Sequence, residues 1–192
     1  MAVRLVVVGA SWGGLRAVTT LLEGLPPWFE PAVVVVQHRG PAPGMGLVEA
    51  LAGRSALPVV EATDKEAILP GRVYLAPPDY HLLVERDALV LSIDEPEGFS
   101  RPSIDVLFES AADAYGTEVV GVLLTGASDD GAAGLKRIRT RGGVGIVQDP
   151  ETAERRRMPE AGIAAGGAQR VLAVQSIAAF LVELSGSREV SP

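Results

Sequence analysis

The sequence predicts an α/β protein: a doubly wound, mainly parallel sheet of about seven strands, flanked by helices, with a short antiparallel hairpin. Apolar, β-branched runs alternate with segments of helical spacing along most of the chain. Runs such as Val3–Val8 and Ala32–Val36 are almost entirely apolar, which is typical of strands covered on both faces. Two alternating runs meet about Arg86-Asp87 and predict the hairpin. We expect crossovers of the usual right hand between the parallel strands.

The elements follow from these patterns in chain order. The predicted strands are Val3–Val8, Ala32–Val36, Leu57–Glu61, Gly71–Pro77, His81–Glu85, Ala88–Ile93, Val119–Thr125, Gly143–Val147 and Arg170–Ala173. Helices are predicted with a first turn that begins beside Ser11, about Met45–Leu51, over Ile104–Tyr115, from Ala132, from Met158 and about Ile177–Leu184. The clearest is Ile104–Tyr115, whose apolar residues repeat at spacings of three and four between a Pro-Ser start and a glycine end.

Composition and charge exclude several classes of site and partner. The 192 residues suit one domain, 1–192, with a frayed tail at 185–192. The absence of cysteine excludes disulfides, cysteine zinc sites and thiol nucleophiles. A net charge of -7 argues against a nucleic-acid partner. Apolar runs are too short to span a membrane and no signal peptide is evident, so we expect a cytoplasmic protein without membrane insertion.

A glycine turn presents the first candidate for chemistry. Gly9-Ala10-Ser11-Trp12-Gly13 matches the G-x-S-x-G nucleophile elbow, which exposes a serine between a strand and a helix. Two other interpretations stay open at this point. The turn could bind a dinucleotide pyrophosphate, although Ser11 replaces the middle glycine of that fingerprint. Ser11 could also simply cap the following helix.

Two further polar groups follow strands of the same predicted sheet. His38 comes after the second strand, and Asp129 and Asp130 come after the strand that starts at Val119. Because the carboxyl ends of parallel strands share one edge, these groups and Ser11 supply the parts of an acyl-transfer triad. The expected oxyanion donors are the backbone N–H of Trp12 and one from the Gly126-Ala127 turn. Spacing alone does not choose between Asp129 and Asp130.

Structural interpretations compete with these assignments. A histidine at a strand end can be an ordinary hydrogen-bonded surface residue, and an aspartate in a glycine-flanked turn can cap the next helix. His81 is the competing base, and we interpret it as structural or as lining the groove. The run Arg155-Arg156-Arg157 is a solvated loop or, in the less favoured interpretation, attracts an acidic partner.

Several motifs in fixed order resemble those of the chemotaxis receptor methylesterases, the protein-glutamate methylesterases of the CheB type. The resemblance covers Val6 to about Leu181. The motifs are Gly9-Ala10-Ser11 with Gly13-Gly14, Gln37-His38, Leu69-Pro70-Gly71 with Ala76-Pro77, Arg101-Pro102-Ser103-Ile104-Asp105-Val106-Leu107-Phe108, Leu124-Thr125-Gly126 with Asp130-Gly131-Ala132-Ala133-Gly134, and Met158-Pro159.

The resemblance implies an activity and assigns residues to it. It implies hydrolysis of glutamate γ-methyl esters on the cytoplasmic helices of chemoreceptors, with deamidation of receptor glutamines in some members. By position, the nucleophile is Ser11, the base His38 and the carboxylate Asp130, while the backbone of Trp12 and Ala127 lines the oxyanion site. Neither a metal nor an organic cofactor is implied.

This chain departs from the family pattern in three ways. Trp12 stands where a small residue is usual, so its indole is expected either to narrow the pocket or to offer its N–H. Ala127 stands where methionine is common. The catalytic sheet begins at residue 3 without the family's receiver domain, so we expect constitutive activity or a separate regulatory partner. The alternatives to an active esterase are a catalytically silent docking module of the same fold and, less favoured, a nucleotide-binding protein.

Overall fold

The computed structural model describes residues 3–38 and 46–186. Its strands are β1 (Leu5–Ala10), β2 (Ala32–Gln37), β3 (Val59–Glu61), β4 (Val73–Leu75), β5 (His81–Glu85), β6 (Ala88–Ser92), β7 (Val119–Leu123), β8 (Val144–Gln148) and β9 (Arg170–Leu172). Its helices are α1 (Gly14–Glu23), α2 (Leu47–Ala52), α3 (Ile104–Tyr115), α4 (Ala132–Thr140), α5 (Arg157–Ala164) and α6 (Val174–Ser185). The predicted alternation of strands and helices is therefore confirmed.

The strands form one large parallel sheet and one small antiparallel pair. The large sheet has seven strands in the order β3-β4-β2-β1-β7-β8-β9, and all its neighbouring pairs are parallel. β5 and β6 form the expected hairpin. From β1 the chain first builds the sheet towards β3, and it then returns to the other side of β1 to form β7. This reversal of direction beside β1 is where open α/β sheets bind ligands.

Alternate residues of β1 face two different cores. Val6 and Val8 pack in the core that contains α1 and α6, whereas Leu5 and Val7 pack in the core that contains α3 and the hairpin. A methyl group on Gly9 would collide with Ile104 Cγ2, so glycine at this position lets the first turn of α3 lie against the end of β1. The start of α3 is thereby held beside the carboxyl ends of the central strands.

The element ends differ from the prediction by a few residues. The predicted strand Gly71–Pro77 is regular only over β4, and the strand predicted to end at Thr125 ends at Leu123. Thr125 leaves the regular ladder because its backbone N–H donates to the Gln148 side chain rather than to a neighbouring strand (2.9 Å). α1 begins at Gly14, three residues after Ser11.

Some expectations concern residues outside the described ranges. These are the helix start at Met45 and the tail from residue 187 onward. Within the described ranges, α6 ends at Ser185. The longest helices, α3 and α6, have 12 residues each. Over residues 3–38 and 46–186, no helix combines the length and the apolar character needed to cross a membrane.

Candidate active site

Strand register brings Ser11 and His38 to neighbouring positions. β1 and β2 are parallel, with Ala10 opposite Gln37, so Ser11 and His38 are the next residues along the two strands. The pairing continues there, since His38 N donates to Ala10 O (2.9 Å). Ser11 N donates to Thr125 O (2.9 Å), just beyond the end of β7. Residues that follow three adjacent strands therefore meet at one edge of the sheet.

His38 and Asp130 are joined by a short hydrogen bond. His38 Nε2 donates to Asp130 Oδ2 (2.7 Å), and the two side chains are 13% and 8% exposed. Of the two aspartates that the sequence left open, Asp130 is the one that contacts the imidazole. Asp129 instead pairs with Arg157 (Nη2 to Oδ2, 2.6 Å). Because Nε2 carries the proton in this arrangement, Nδ1 is the ring nitrogen that can accept one.

The carboxylate of Asp130 is anchored to the start of α3. Oδ2 accepts from Ile104 N (2.7 Å), and Oδ1 accepts from Asp105 N (2.9 Å) and Ser103 Oγ (2.9 Å). Burial acts to raise the pKa of Asp130. The hydrogen bonds from His38, Ile104 and Asp105 outweigh this effect and lower the pKa below its usual value. Asp130 therefore stays ionised beside His38, and the positive end of the helix contributes to this.

The helix-capping interpretations of Ser11 and of the aspartates are wrong. Gly13 is the N-cap of α1 and Gly131 is the N-cap of α4, and neither helix has a side-chain cap hydrogen bond. Asp130 binds the N-terminus of a helix, but that helix is α3, which precedes it by about 25 residues in sequence. Only the fold brings the two together.

Three groups around Ser11 are without hydrogen-bond partners in the described part of the chain: the Ser11 hydroxyl, the Trp12 amide and the Ala127 amide. In particular, no hydrogen bond joins the Ser11 hydroxyl to His38. Within the Gly126-Ala127 turn, the Gly126 amide donates to Arg155 O (3.1 Å), which leaves Ala127 as the donor available in that turn. Unpaired amides beside a serine hydroxyl are what an oxyanion site requires.

Gln37 links the two strand ends, a role that the sequence analysis did not assign. Its Nε2 donates to Ser11 O (2.8 Å) and to His38 O (3.0 Å). A methyl group on Gly14 would collide with Gln37 Oε1, so the second glycine of the turn makes room for this amide. The available signal was the position of Gln37, a polar residue at the end of an apolar strand, directly before His38.

His81 lies in the interior and, among the described residues, forms no hydrogen bond with Ser11, His38 or Asp130. It is 2% exposed. Its Nδ1 accepts from Ser103 N (3.2 Å), and its Nε2 donates to Glu95 O (3.1 Å). These contacts support the structural interpretation of His81, because they fix the loop that leads into α3.

Trp12 lies at the exposed edge of the site and does not fill the space above Ser11. Its Nε1 donates to Glu154 Oε1 (2.9 Å), and its side chain is largely exposed, with the residue at 59% of full accessibility. The Arg155 guanidinium lies over the ring, 5.0 Å from its centroid. The Thr125 hydroxyl donates to Trp12 O (3.0 Å) and accepts from Arg155 N (2.9 Å). The indole N–H, which the sequence suggested as a donor to the site, therefore donates to Glu154.

An acidic cavity of about 540 Å³ adjoins Asp130. Its lining includes Glu97, Asp105, Glu109 and Asp129. Burial raises the pKa of Asp105 to about 6, an effect that the Gly134 amide opposes and the charge of Asp130 reinforces. The surface on this side of the site is thus negative.

Comparisons with known proteins agree on one family. The family model described as CheB methylesterase matches residues 6–181. A Leptospira interrogans relative, provisionally named a protein-glutamate methylesterase/protein-glutamine glutaminase, is 45% identical over 180 residues, which are 93% of each chain. The protein-glutamate methylesterase/protein-glutamine glutaminase 3 of Pseudomonas aeruginosa is 43% identical over 94% of this chain and 54% of its own length.

A solved structure agrees with these sequence matches. The crystal structure of the Thermotoga maritima CheB methylesterase catalytic domain superposes with a TM-score of 0.90 at 34% identity. The match covers 96% of this chain and all of that one (100%).

Proposed function

This chain belongs to the CheB methylesterase family, and we propose that it is a serine hydrolase that removes methyl groups from glutamate γ-methyl esters. The substrates are the cytoplasmic helices of methylated chemoreceptors. The names of its relatives also include protein-glutamine glutaminase, so the same site would deamidate receptor glutamines. Residues 1–192 would act as one methylesterase-like catalytic domain without a cofactor.

One observation carries the proposal: His38 is hydrogen-bonded to a buried, ionised Asp130 and lies next to Ser11 in strand register. Adjacent residues of neighbouring strands lie about 5 Å apart, so the side chains of Ser11 and His38 start from neighbouring positions. Odd-numbered residues of β1 and even-numbered residues of β2 face the α3 side, which is the side on which Asp130 meets α3.

The proposed reaction has two halves. Ser11 Oγ attacks the ester carbonyl while His38 Nδ1 takes the hydroxyl proton, and the oxyanion binds the amides of Trp12 and Ala127. The carbon–oxygen bond to the methoxy group then breaks, and His38 returns the proton so that methanol leaves. Water next attacks the acyl-enzyme while His38 Nδ1 takes one of its protons. The bond from the acyl carbon to Ser11 Oγ then breaks, His38 returns the proton to Ser11 Oγ, and the glutamic acid side chain leaves and ionises. With a glutamine substrate, ammonia leaves in place of methanol.

A second candidate, a silent docking module, is favoured by the missing hydrogen bond between Ser11 and His38. We favour the enzyme because such bonds are often long or poorly aligned without substrate and tighten on binding. The paired carboxylate and the unpaired amides would also have no evident use in a docking module.

The deciding experiment is labelling with a serine-reactive fluorophosphonate, followed by mass spectrometry of a methylated receptor fragment. We expect label on Ser11, loss of mass corresponding to demethylation, and loss of both in Ser11→Ala and His38→Gln. Asp129→Asn, which changes the adjacent exposed aspartate, is the matched control and should retain activity. Demethylation at full rate by Ser11→Ala would refute the serine mechanism, and absence of labelling in the wild type would favour the docking module.

A further inference from the structure

The surface beside Ser11 carries the positive charge of Arg155, which forms no ion pair with any carboxylate over residues 3–38 and 46–186. The two neighbours of Arg155 both form one. Arg156 pairs with Glu151 (2.7 Å) and Arg157 pairs with Asp129. The adjacent carboxylate of Glu154 accepts from the indole of Trp12 instead.

The Arg155 side chain is held in place by an aromatic ring. Its guanidinium lies over the Trp12 ring, 5.0 Å from the ring centroid, which is the distance of a cation–π contact. A cation–π contact of this kind does not use the guanidinium N–H groups as hydrogen-bond donors. The aromatic support, Trp12, directly follows the candidate nucleophile Ser11 in sequence, and the planar cation of Arg155 contacts it. Such a fork matches the two oxygens of a carboxylate.

The backbone of Arg155 is built into the site. The Thr125 hydroxyl accepts from Arg155 N and donates to Trp12 O, while Arg155 O accepts from the Gly126 amide. Ser11 N donates to Thr125 O in the same cluster. The backbone of Arg155 is therefore fixed relative to Ser11 by hydrogen bonds of three segments, and the contact with Trp12 positions its exposed side chain.

We propose that Arg155, supported by Trp12, is a subsite for a carboxylate of the protein substrate next to the ester-bearing side chain. This inference rests on the proposed esterase function. The methyl ester is neutral and does not need a cation for binding. The charge of Arg155 would therefore contact the residues that flank the methylated glutamate in the substrate. The acidic cavity that Asp130 lines contains Asp105 and Glu109 but neither Trp12 nor Arg155, and the chain carries a net charge of -7. An acidic segment would therefore bind with its flanking carboxylate on the Trp12 side.

The test uses two helical peptides with one glutamate γ-methyl ester, flanked either by glutamates or by glutamines. We expect the wild type to prefer the glutamate-flanked peptide by about 1.5- to 5-fold in kcat/KM, as one exposed ion pair gives. Arg155→Gln should remove the preference through KM and leave kcat unchanged, because the contact is the same in substrate and transition state. Arg155→Lys should retain part of it, and added salt should reduce it in the wild type.

Arg156→Gln is the matched control, because it removes the same charge one residue away from an arginine that is already paired. It should leave the preference intact. The inference is overturned if the wild type shows no preference, if Arg155→Gln slows both peptides equally, or if Arg156→Gln has the same effect as Arg155→Gln.

A binding measurement separates this inference from the proposed function. Anisotropy with both labelled peptides is measured on Ser11→Ala and on the double variant Ser11→Ala/Arg155→Gln, which need no catalysis. Preferential binding of the glutamate-flanked peptide that is lost in the double variant would support the subsite even if no ester were hydrolysed. Equal binding of both peptides by Ser11→Ala would refute the subsite and leave the esterase function standing.

Discussion

Replacement of Asp130 by asparagine should reduce both stability and activity, because one carboxylate accepts hydrogen bonds from the start of α3 and from the His38 imidazole. Its two oxygens accept from His38 Nε2, Ser103 Oγ and the amides of Ile104 and Asp105. The two backbone amides bind different oxygens, and a carboxamide has only one oxygen. In either orientation, its NH2 group therefore faces one buried amide N–H.

The magnitude follows from this mismatch. One buried donor without an acceptor costs about 1–3 kcal/mol, and loss of the charge at the start of α3 adds about 0.3–1 kcal/mol. We therefore expect Asp130→Asn to lower the free energy of unfolding by roughly 1.3–4 kcal/mol. Where the NH2 group faces His38, Nε2 must become the acceptor. The imidazole is then in the wrong tautomer, and the rate falls by up to about 10⁴-fold.

The assay is urea unfolding at pH 7, followed by tryptophan fluorescence, together with the rate of fluorophosphonate labelling. Asp129→Asn is the control, since its exposed pair with Arg157 should contribute no more than about 1 kcal/mol. If Asp130→Asn unfolded at the same urea concentration as Asp129→Asn, Asp130 would not be holding the start of α3. If it were also labelled at the wild-type rate, the role of the carboxylate in orienting His38 would be refuted.

Three further outcomes are expected. Burial raises the pKa of Asp105 from 3.8 to about 6, so its ionisation weakens the folded state as pH rises from about 4 to about 6. Asp105→Asn should accordingly be more stable than wild type at pH 7 in urea unfolding, with the difference lost at pH 4. A larger gain in stability at pH 4 than at pH 7 would contradict this pH dependence. Gly14→Ala should displace Gln37 and slow fluorophosphonate labelling roughly 10- to 100-fold. The helix content measured by circular dichroism should stay unchanged. Labelling at the wild-type rate would show that Gln37 does not position Ser11. His81→Gln should lower the unfolding free energy by about 1–2 kcal/mol through its buried hydrogen bonds and retain labelling of Ser11; complete loss of labelling in folded protein would make His81 part of the machinery.

The sequence predicted those parts of the structure that depend on local pattern. Apolar runs such as Ala32–Val36 gave the parallel strands, because only strands covered on both faces lack polar alternation. The hairpin about Arg86-Asp87 was found because two alternating runs are separated by a short turn. Parallel strands present their carboxyl ends at one edge, so placing Ser11, His38 and an aspartate together required only the strand assignments.

The sequence could not predict contacts that depend on the packing of distant segments. Trp12 and its partner Glu154 are 142 residues apart, and no local pattern links them. An aspartate before a helix usually caps that helix, whereas Asp130 reaches back to α3 because Gly9 lets α3 approach the sheet. Which imidazole nitrogen meets the carboxylate also depends on side-chain orientation, on which the order of residues carries no information.

The attachment of Asp130 to α3 has a consequence for protein engineering. Grafting the serine, the histidine and the aspartate alone onto another parallel sheet would transfer the carboxylate without the helix amides that hold it. The imidazole in the new protein would then have no fixed orientation. A recipient scaffold would need a glycine in the central strand and a helix whose opening turn can sit above it. The smallest transferable unit is therefore two strand ends, a returning loop and the first turn of that helix.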